Sequence, residues 1–115
     1  MNRIYHRQDF QKISMLTEST VYNFPDYYQE FQRYGIYFGI TLSLMRDVIS
    51  YVLNNKEKYS GTTEEKSKEI LVDLEKDLDE IFYVTSLYQI PYTRTVAILE
   101  DIIQFTLEND NQYIY

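Results

Sequence analysis

A chain of 115 residues is long enough for a single domain, residues 1–115, built around one apolar core. It has no cysteine and one histidine, His6, so disulfide bonds and thiolate metal sites are excluded and no metal or other cofactor is expected. Residues 61–115 carry 12 acidic and 4 basic side chains within a net charge of −7, so direct binding to nucleic acid, which requires Lys and Arg, is not expected.

The composition also points to the kind of gene. Tyrosine occurs 13 times and isoleucine is abundant, whereas alanine occurs once, at Ala97. Residues with AT-rich codons are therefore favoured, which indicates a low-GC bacterium, its phage or a mobile element. No basic-then-apolar leader opens the sequence, so we expect a cytoplasmic protein.

The first half of the chain predicts a short helix and then a long one. Phe10, Ile13 and Leu16 keep helical spacing and predict a helix over residues 8–18. The residues expected to form the connection after it are Ser19, Thr20 and Asn23. A start signal, Asn23-Phe24-Pro25-Asp26, then predicts either one helix over residues 24–54 or two pieces hinged near Gly35.

Residues 36–54 are the expected centre of the fold. On a helical wheel this stretch is apolar over most of its circumference, so other segments must cover it on several sides. Its charge-free run, from Gly35 to Met45, is well short of the ~20 residues that a bilayer requires, so no membrane span is expected. A narrow polar side could face solvent or admit a closely packed helix; it comprises Gly39, Ser43, Asp47, Ser50 and Asn54.

The second half predicts two more long helices. Thr62 and Glu65 form a capping-box sequence, in which each side chain binds the other residue's backbone N–H. A heptad series then predicts a helix over residues 63–89; its members are Leu71, Leu74, Leu78, Ile81, Thr85 and Tyr88. Pro91 separates it from a last helix over residues 91–108, and residues 109–115 form a short tail.

The predicted fold is therefore all-α. No alternating strand pattern bounded by turn residues occurs in the sequence. We expect a compact helical bundle of three long helices, at about 24–54, 63–89 and 91–108, with a short N-terminal helix.

The first candidate site is an acidic stripe on the helix over residues 63–89. Its members recur at steps of four or three residues and are Glu65, Glu69, Asp73, Asp77 and Glu80. Like charges at this spacing destabilise an isolated helix slightly, so the row invites a functional explanation. It could bind the basic surface of another protein, or it could be a solvated face that Lys66, Lys68 and Lys76 compensate.

The second candidate site is aromatic. Tyrosine brings area and a hydroxyl group to protein interfaces at low entropic cost. The residues predicted to form a protein-binding or oligomer interface are Tyr27, Tyr28, Phe31 and Tyr34. The alternative is that about half of the neighbouring aromatic residues belong to the core and the rest reflect codon usage.

Catalysis has no support in the sequence. His6 has no cysteine or second histidine with which to form a nucleophile–base pair or a metal site. Glu100 and Asp101 lack the Glu-x-x-His companion of di-metal bundles, and no glycine-rich phosphate loop occurs. We therefore expect a protein that is not an enzyme.

These observations predict a small, acidic, non-catalytic protein-binding module, such as an inhibitor, antitoxin or immunity-type protein. Its expected partner is another protein with a basic surface. The alternative is a self-associating structural subunit, a homodimer or larger, with the aromatic run or the central helix at its interface. A helical transcriptional regulator is less favoured, because the helices over residues 63–89 and 91–108 are not basic.

Overall fold

The computed structural model describes residues 7–112, and the side chains of residues 10–111. Every regular element in this part of the chain is helical, which confirms the all-α prediction. Six α-helices replace the expected three long helices and one short one: α1 Arg7–Asn23, α2 Pro25–Arg33, α3 Phe38–Asn55, α4 Thr63–Asp77, α5 Glu80–Leu87 and α6 Tyr92–Asn109. Short 3-10 turns, Lys56–Lys58 and Asp110–Gln112, follow α3 and α6.

Helix α1 is longer than predicted, because Ser19, Thr20 and Asn23 lie inside it and not in a connection. Threonine disfavours helix interiors unless its hydroxyl finds a partner. Here the Thr20 hydroxyl donates to the backbone carbonyl of Thr17 at 2.6 Å and lies 2.6 Å from the hydroxyl of Tyr28. Burial of Thr20 against a neighbouring helix therefore outweighs its local preference.

Residues 24–54 form two helices that are separated at Gly35. This outcome is the second of the two predicted alternatives. Gly35 has a φ of +106°, a conformation that glycine adopts without steric cost. The N–H groups of Gly35 and Ile36 bind the carbonyls of Gln32 and Phe31, both at 2.9 Å, which is a Schellman motif. Ile36 and Phe31 are both fully buried, so an apolar contact accompanies the turn.

The single helix predicted over residues 63–89 is wrong, since Leu78, at φ −141° and ψ 72°, ends α4 and separates it from α5. No proline or glycine marks this break. Aspartate is a weak helix former, however, and Asp77 and Asp79 flank Leu78. The break also places Asp79 and Glu80 at the start of α5, where the helix dipole favours negative charge.

The remaining boundaries are close to those predicted. The capping box at Thr62 and Glu65 is present and starts α4. Helix α6 runs over Tyr92–Asn109 with Pro91 at its N-cap position. Residues 110–112 continue it as a 3-10 turn, whereas the end of the predicted tail, residues 113–115, lies outside the described residues.

The core lies between α3 and α6. Helix α3 packs against α1, α2, α4 and α6, which confirms that other helices cover it on several sides. Fully buried side chains of α3 meet those of α6; they are Met45, Val48, Ile49, Val52, Ile98, Leu99, Ile102 and Ile103. Within the described residues, none of the helices has the length and apolar character needed to cross a bilayer.

The polar side of α3 faces solvent at its N-terminal end. Gly39 and Ser43 are exposed, and among the described residues no atom of another element lies within 4 Å of the position that a Cβ on Gly39 would take. None of the described helices therefore approaches α3 at Gly39. Asp47, Ser50 and Asn54, nearer its C-terminal end, are half-buried.

Candidate functional site

The acidic stripe does not stay on one face of α4. Residues four apart on a helix are rotated by about 40° relative to each other, so such a row winds around the helix surface. Glu65 and Glu69 face solvent, whereas Asp73 and Asp77 lie on the side of α4 next to α3. Glu80, the last member, is exposed in the first turn of α5.

Three of the five stripe carboxylates have partners within the protein. The Tyr51 hydroxyl donates to Asp77 at 2.7 Å, and the Tyr59 hydroxyl donates to Asp73. Glu65 accepts the Thr62 N–H at 2.9 Å as part of the capping box. Among the described residues, no lysine or arginine forms an ion pair with Glu69 or Glu80, so these two carboxylates are the ones available to a partner.

The predicted aromatic interface is divided between the core and the surface. Tyr28 and Phe31 are 3% and 0% exposed, so they pack in the core and cannot contact another protein. Tyr27 is half-buried, and only Tyr34, at 39% exposure, faces solvent. Helix α2 turns two of the four residues inward, so only Tyr27 and Tyr34 remain accessible, and their use as an interface stays a prediction.

Tyr27 belongs to a polar cluster that joins α2 to α6. Its hydroxyl donates to Asp101, and the Arg94 guanidinium lies 5.3 Å from the centre of its ring. Arg94 also binds both carboxylate oxygens of Glu30, with Nε–Oε2 and Nη2–Oε1 distances of 2.9 and 2.8 Å. This two-pronged pairing stabilises the contact between the two helices.

The electrostatics of this cluster follow from its geometry. Burial first, and then the hydrogen bond to Asp101, raises the pKa of Tyr27 to about 12. The hydrogen bonds from Arg94 hold the pKa of Glu30 below its ordinary value. Each group is thus kept in its ordinary protonation state, Tyr27 neutral and Glu30 charged. The cluster therefore ties the two helices together.

A second polar cluster closes one end of the bundle. The Asp110 side chain is only 8% exposed and pairs with the ammonium groups of Lys12 and Lys56. Burial lowers the pKa of Lys56, and the positive charge of Lys12 lowers it further. These two ion pairs with one buried carboxylate join α1, the turn after α3 and the end of α6. Sequence patterns do not reveal this cluster, because Lys12, Lys56 and Asp110 are far apart in the chain.

Metal chemistry finds no support in the described residues, which contain no group of three or more Asp, Glu, His or Cys side chains arranged to hold an ion. The carboxylates that do have close partners are bound by tyrosine, lysine or arginine. His6 lies outside the described residues.

Helix α5 carries two large exposed apolar side chains next to Glu80. Glu80, Tyr83 and Leu87 follow one another at spacings of three and four residues, so they project from the same side of the helix. Tyr83 and Leu87 are 64% and 61% exposed, although α5 has only eight residues. With Tyr88 at its C-terminal end, we call this surface the α5 face.

Two further observations place the α5 face on the molecule. The Tyr88 ring lies 3.5 Å from the position that a Cβ on Gly35 would take, which brings it beside the turn that holds the exposed Tyr34. At the other end, the charge of Glu80 adds to burial in raising the pKa of Asp47 on α3. One end of the α5 face thus carries Glu80 from the acidic stripe, and the other lies near Tyr34 from the aromatic site.

Sequence reasoning missed Tyr83 and Leu87. A continuous heptad over residues 63–89 assigns Ile81, Thr85 and Tyr88 to the core and leaves no reason to single out their neighbours. The available signal was the composition of residues 80–87, which contain one charged residue among large apolar ones. So short an apolar helix cannot bury all of its sides.

Comparisons of the chain with known protein families, with curated proteins and with solved structures found no match.

Proposed function

We propose that this protein is a small, acidic, non-catalytic binding module that contacts another protein through the α5 face. It belongs by this proposal to the functional class of inhibitors, antitoxins and immunity-type proteins, acts in the cytoplasm, and comes from a low-GC bacterium or its phage. The observation that carries the proposal is the exposure of Tyr83 and Leu87 on one side of a short helix.

Apolar exposure of this kind favours association. Single exposed apolar residues are common on soluble proteins, but a tyrosine and a leucine one helical turn apart form a contiguous patch. Tyrosine is also enriched among the residues that dominate binding energy at interfaces. Burying Tyr83 and Leu87 against a partner would remove both side chains from water, at roughly 25 cal/mol for each Å² of apolar surface.

The negative charge next to this patch indicates that the partner has a basic surface. Glu80, at one end of the α5 face, has no ion pair within the described residues. Residues 61–115, which contain it, carry 12 acidic and 4 basic side chains. A partner with a basic surface would be attracted to this side of the molecule, mainly through a faster rate of association.

The non-catalytic part of the proposal rests on how the titratable groups are used. The tyrosines with the largest changes in pKa, Tyr27, Tyr51 and Tyr59, each donate to a carboxylate on a neighbouring segment. Their hydroxyl groups are occupied in joining helices. A catalytic acid or base would instead need a free position beside a substrate.

Affinity capture from the source cell with matched variants tests the proposal. We expect the double substitution Tyr83→Ser with Leu87→Ser to reduce recovery of the partner by at least about tenfold, since large interface side chains contribute 1–2 kcal/mol or more. The control is Val72→Ser, which removes a 56% exposed apolar side chain from α4. Equal recovery by the double variant and the wild type would refute the α5 face as the binding surface.

A further inference from the structure

A groove lies between α1 and α3. It has a volume of about 450 Å³. Ser14, Glu18 and Tyr22 line it along α1, and Phe38, Leu42 and Arg46 line it along α3. Each set is spaced by four residues, so each forms a row along its helix, and two adjacent helical rows form the kind of groove in which a third helix packs.

The walls of the groove combine exposed aromatic side chains with two side chains of opposite charge. Tyr22 and Phe38 are 77% and 40% exposed, large fractions for aromatic side chains. Glu18 and Arg46 are also exposed, yet among the described residues they do not form an ion pair with each other or with another side chain. An occupant of this groove should therefore supply an apolar face, a cation for Glu18 and an anion for Arg46.

A second copy of this chain supplies all three. If two α1 helices lie antiparallel across a two-fold axis near Leu16, positions 14 and 18 face each other. Glu18 of each copy then lies opposite Ser14 of the other. Arg46 lines the same groove as Ser14, so Glu18 of the second copy comes within reach of Arg46. Because the axis relates the two copies, the contact between Glu18 and Arg46 occurs twice in the dimer.

The two ends of the α1 row, at Phe10 and Tyr22, also match each other in this arrangement. The same axis places position 22 of one copy opposite position 10 of the other. Phe10 is 58% exposed and Tyr22 is 77% exposed, so an aromatic pair would close each end of the interface. An isologous interface must be complementary to itself in this way. We therefore propose that the α1–α3 groove is a dimerisation surface that takes α1 of a second copy.

The size of this surface predicts a reversible dimer. Helix α1 has 17 residues, which corresponds to a length of about 25 Å. Two helices packed 8–10 Å apart present a face roughly 20 Å wide, so each copy contributes a projected area of roughly 500 Å². This is below the ~800 Å² per partner of a standard interface, and we expect dissociation on dilution through the micromolar range.

Sedimentation velocity over a range of concentrations tests the dimer. We expect the mass to rise from 13.9 kDa to twice that value as the concentration increases. Glu18→Arg and Arg46→Glu should each weaken the dimer about tenfold by placing like charges together, and the double variant should recover most of the loss. The control is Arg33→Glu, which reverses an exposed charge outside the groove and should leave dimerisation unchanged.

Two results would overturn the proposal. One is a wild-type protein that stays at 13.9 kDa at every concentration. The second is a dimer that neither single reversal weakens. Failure of the double variant to recover the dimerisation lost in the single variants would count against the proposal in the same way. The proposal is independent of the α5 face, because the two surfaces use different residues. The Tyr83→Ser, Leu87→Ser variant should dimerise normally, and Glu18→Arg should still capture the partner.

Discussion

At the scale of single residues, tyrosine hydroxyl groups connect the helices of this protein. Tyr27 donates to Asp101, Tyr51 to Asp77, Tyr59 to Asp73 and Tyr92 to Glu75, and each pair joins two segments that are at least 14 residues apart. Hydrogen bonds to charged acceptors are stronger than those between neutral groups. Abundant tyrosine therefore has a structural use here, in addition to any effect of codon usage.

Removal of one such hydroxyl should destabilise the fold. We expect Tyr51→Phe to lower the free energy of unfolding by about 1 kcal/mol, because the hydrogen bond from the half-buried Tyr51 to the exposed Asp77 is lost while the ring still packs. Urea unfolding followed by circular dichroism measures the change. The control, Tyr37→Phe, removes a hydroxyl from a side chain that is 78% exposed and should change stability by less than about 0.3 kcal/mol. Equal effects of the two substitutions would contradict a role for the contact.

The same contacts predict how stability depends on pH. Burial, followed by hydrogen bonding to Asp101 and Asp73 respectively, raises the pKa values of Tyr27 and Tyr59 to about 12, from about 10 in the unfolded chain. The folded state therefore holds these protons more tightly. Their contribution is fully present below pH 10 and is lost as the pH rises from about 10 to about 12.

An ultraviolet titration of tyrosinate, combined with circular dichroism, checks this dependence. We expect some of the 13 tyrosines to ionise only as the helical signal disappears. If every tyrosine ionised near pH 10 while the helical signal stayed intact, the tyrosine–carboxylate contacts would not have the strength assigned to them.

At the scale of helices, two turns use the same motif with different residues. Gly35 ends α2 at a φ of +106°, and Gln89 ends α5 at a φ of +66°. After α5 the N–H groups of Gln89 and Ile90 bind the carbonyls of Ser86 and Thr85 at 3.0 and 2.9 Å, again a Schellman motif. Glutamine pays a steric cost in this conformation that glycine does not.

Exchanging these residue types should shift stability in opposite directions. We expect Gln89→Gly to raise the free energy of unfolding by about 1 kcal/mol and Gly35→Ala to lower it by about 1 kcal/mol. The effect at Gly35 comes from its φ and not from crowding, because a Cβ there would lie 3.5 Å from Tyr88, an ordinary contact. Urea midpoints measured at constant slope report both changes, and destabilisation by Gln89→Gly would show that φ is not the controlling factor.

The helices also show how far local sequence determines this structure. The capping box at Thr62 was predictable because both of its partners lie within one turn. The hinge at Gly35 was predictable as an alternative, since glycine is the residue that such turns favour. The break at Leu78 was not predictable, because the heptad of apolar residues continues across it and only the packed fold places Asp79 and Glu80 at a helix start.

At the scale of the whole molecule, the sequence predicted the helical class and the covered central helix but not the use of its surfaces. Asp73 and Asp77 look available in the sequence, yet their partners Tyr59 and Tyr51 come from other elements. Tyr27 and Tyr28 are adjacent in the sequence, yet Tyr27 is half-buried at the surface and Tyr28 lies in the core. Such assignments depend on contacts between distant segments, which periodicity does not encode.

The folded molecule presents two separate surfaces for association. The α5 face combines exposed apolar side chains with Glu80, and the α1–α3 groove combines apolar walls with Glu18 and Arg46. The first is proposed to bind a different protein and the second to bind another copy. A dimer would present two α5 faces, so a partner with two matching sites would be held more tightly than by a single copy.

Hydrogen–deuterium exchange of the protein, alone and with its captured partner, tests the proposed binding surface most directly. We expect slower exchange of the backbone amides of α5 and the adjoining turn in the complex, with little change in α1 and in the first half of α4. Protection confined to α1 and α3, or to the outward side of α4, with unchanged exchange in α5, would contradict the assignment of the α5 face.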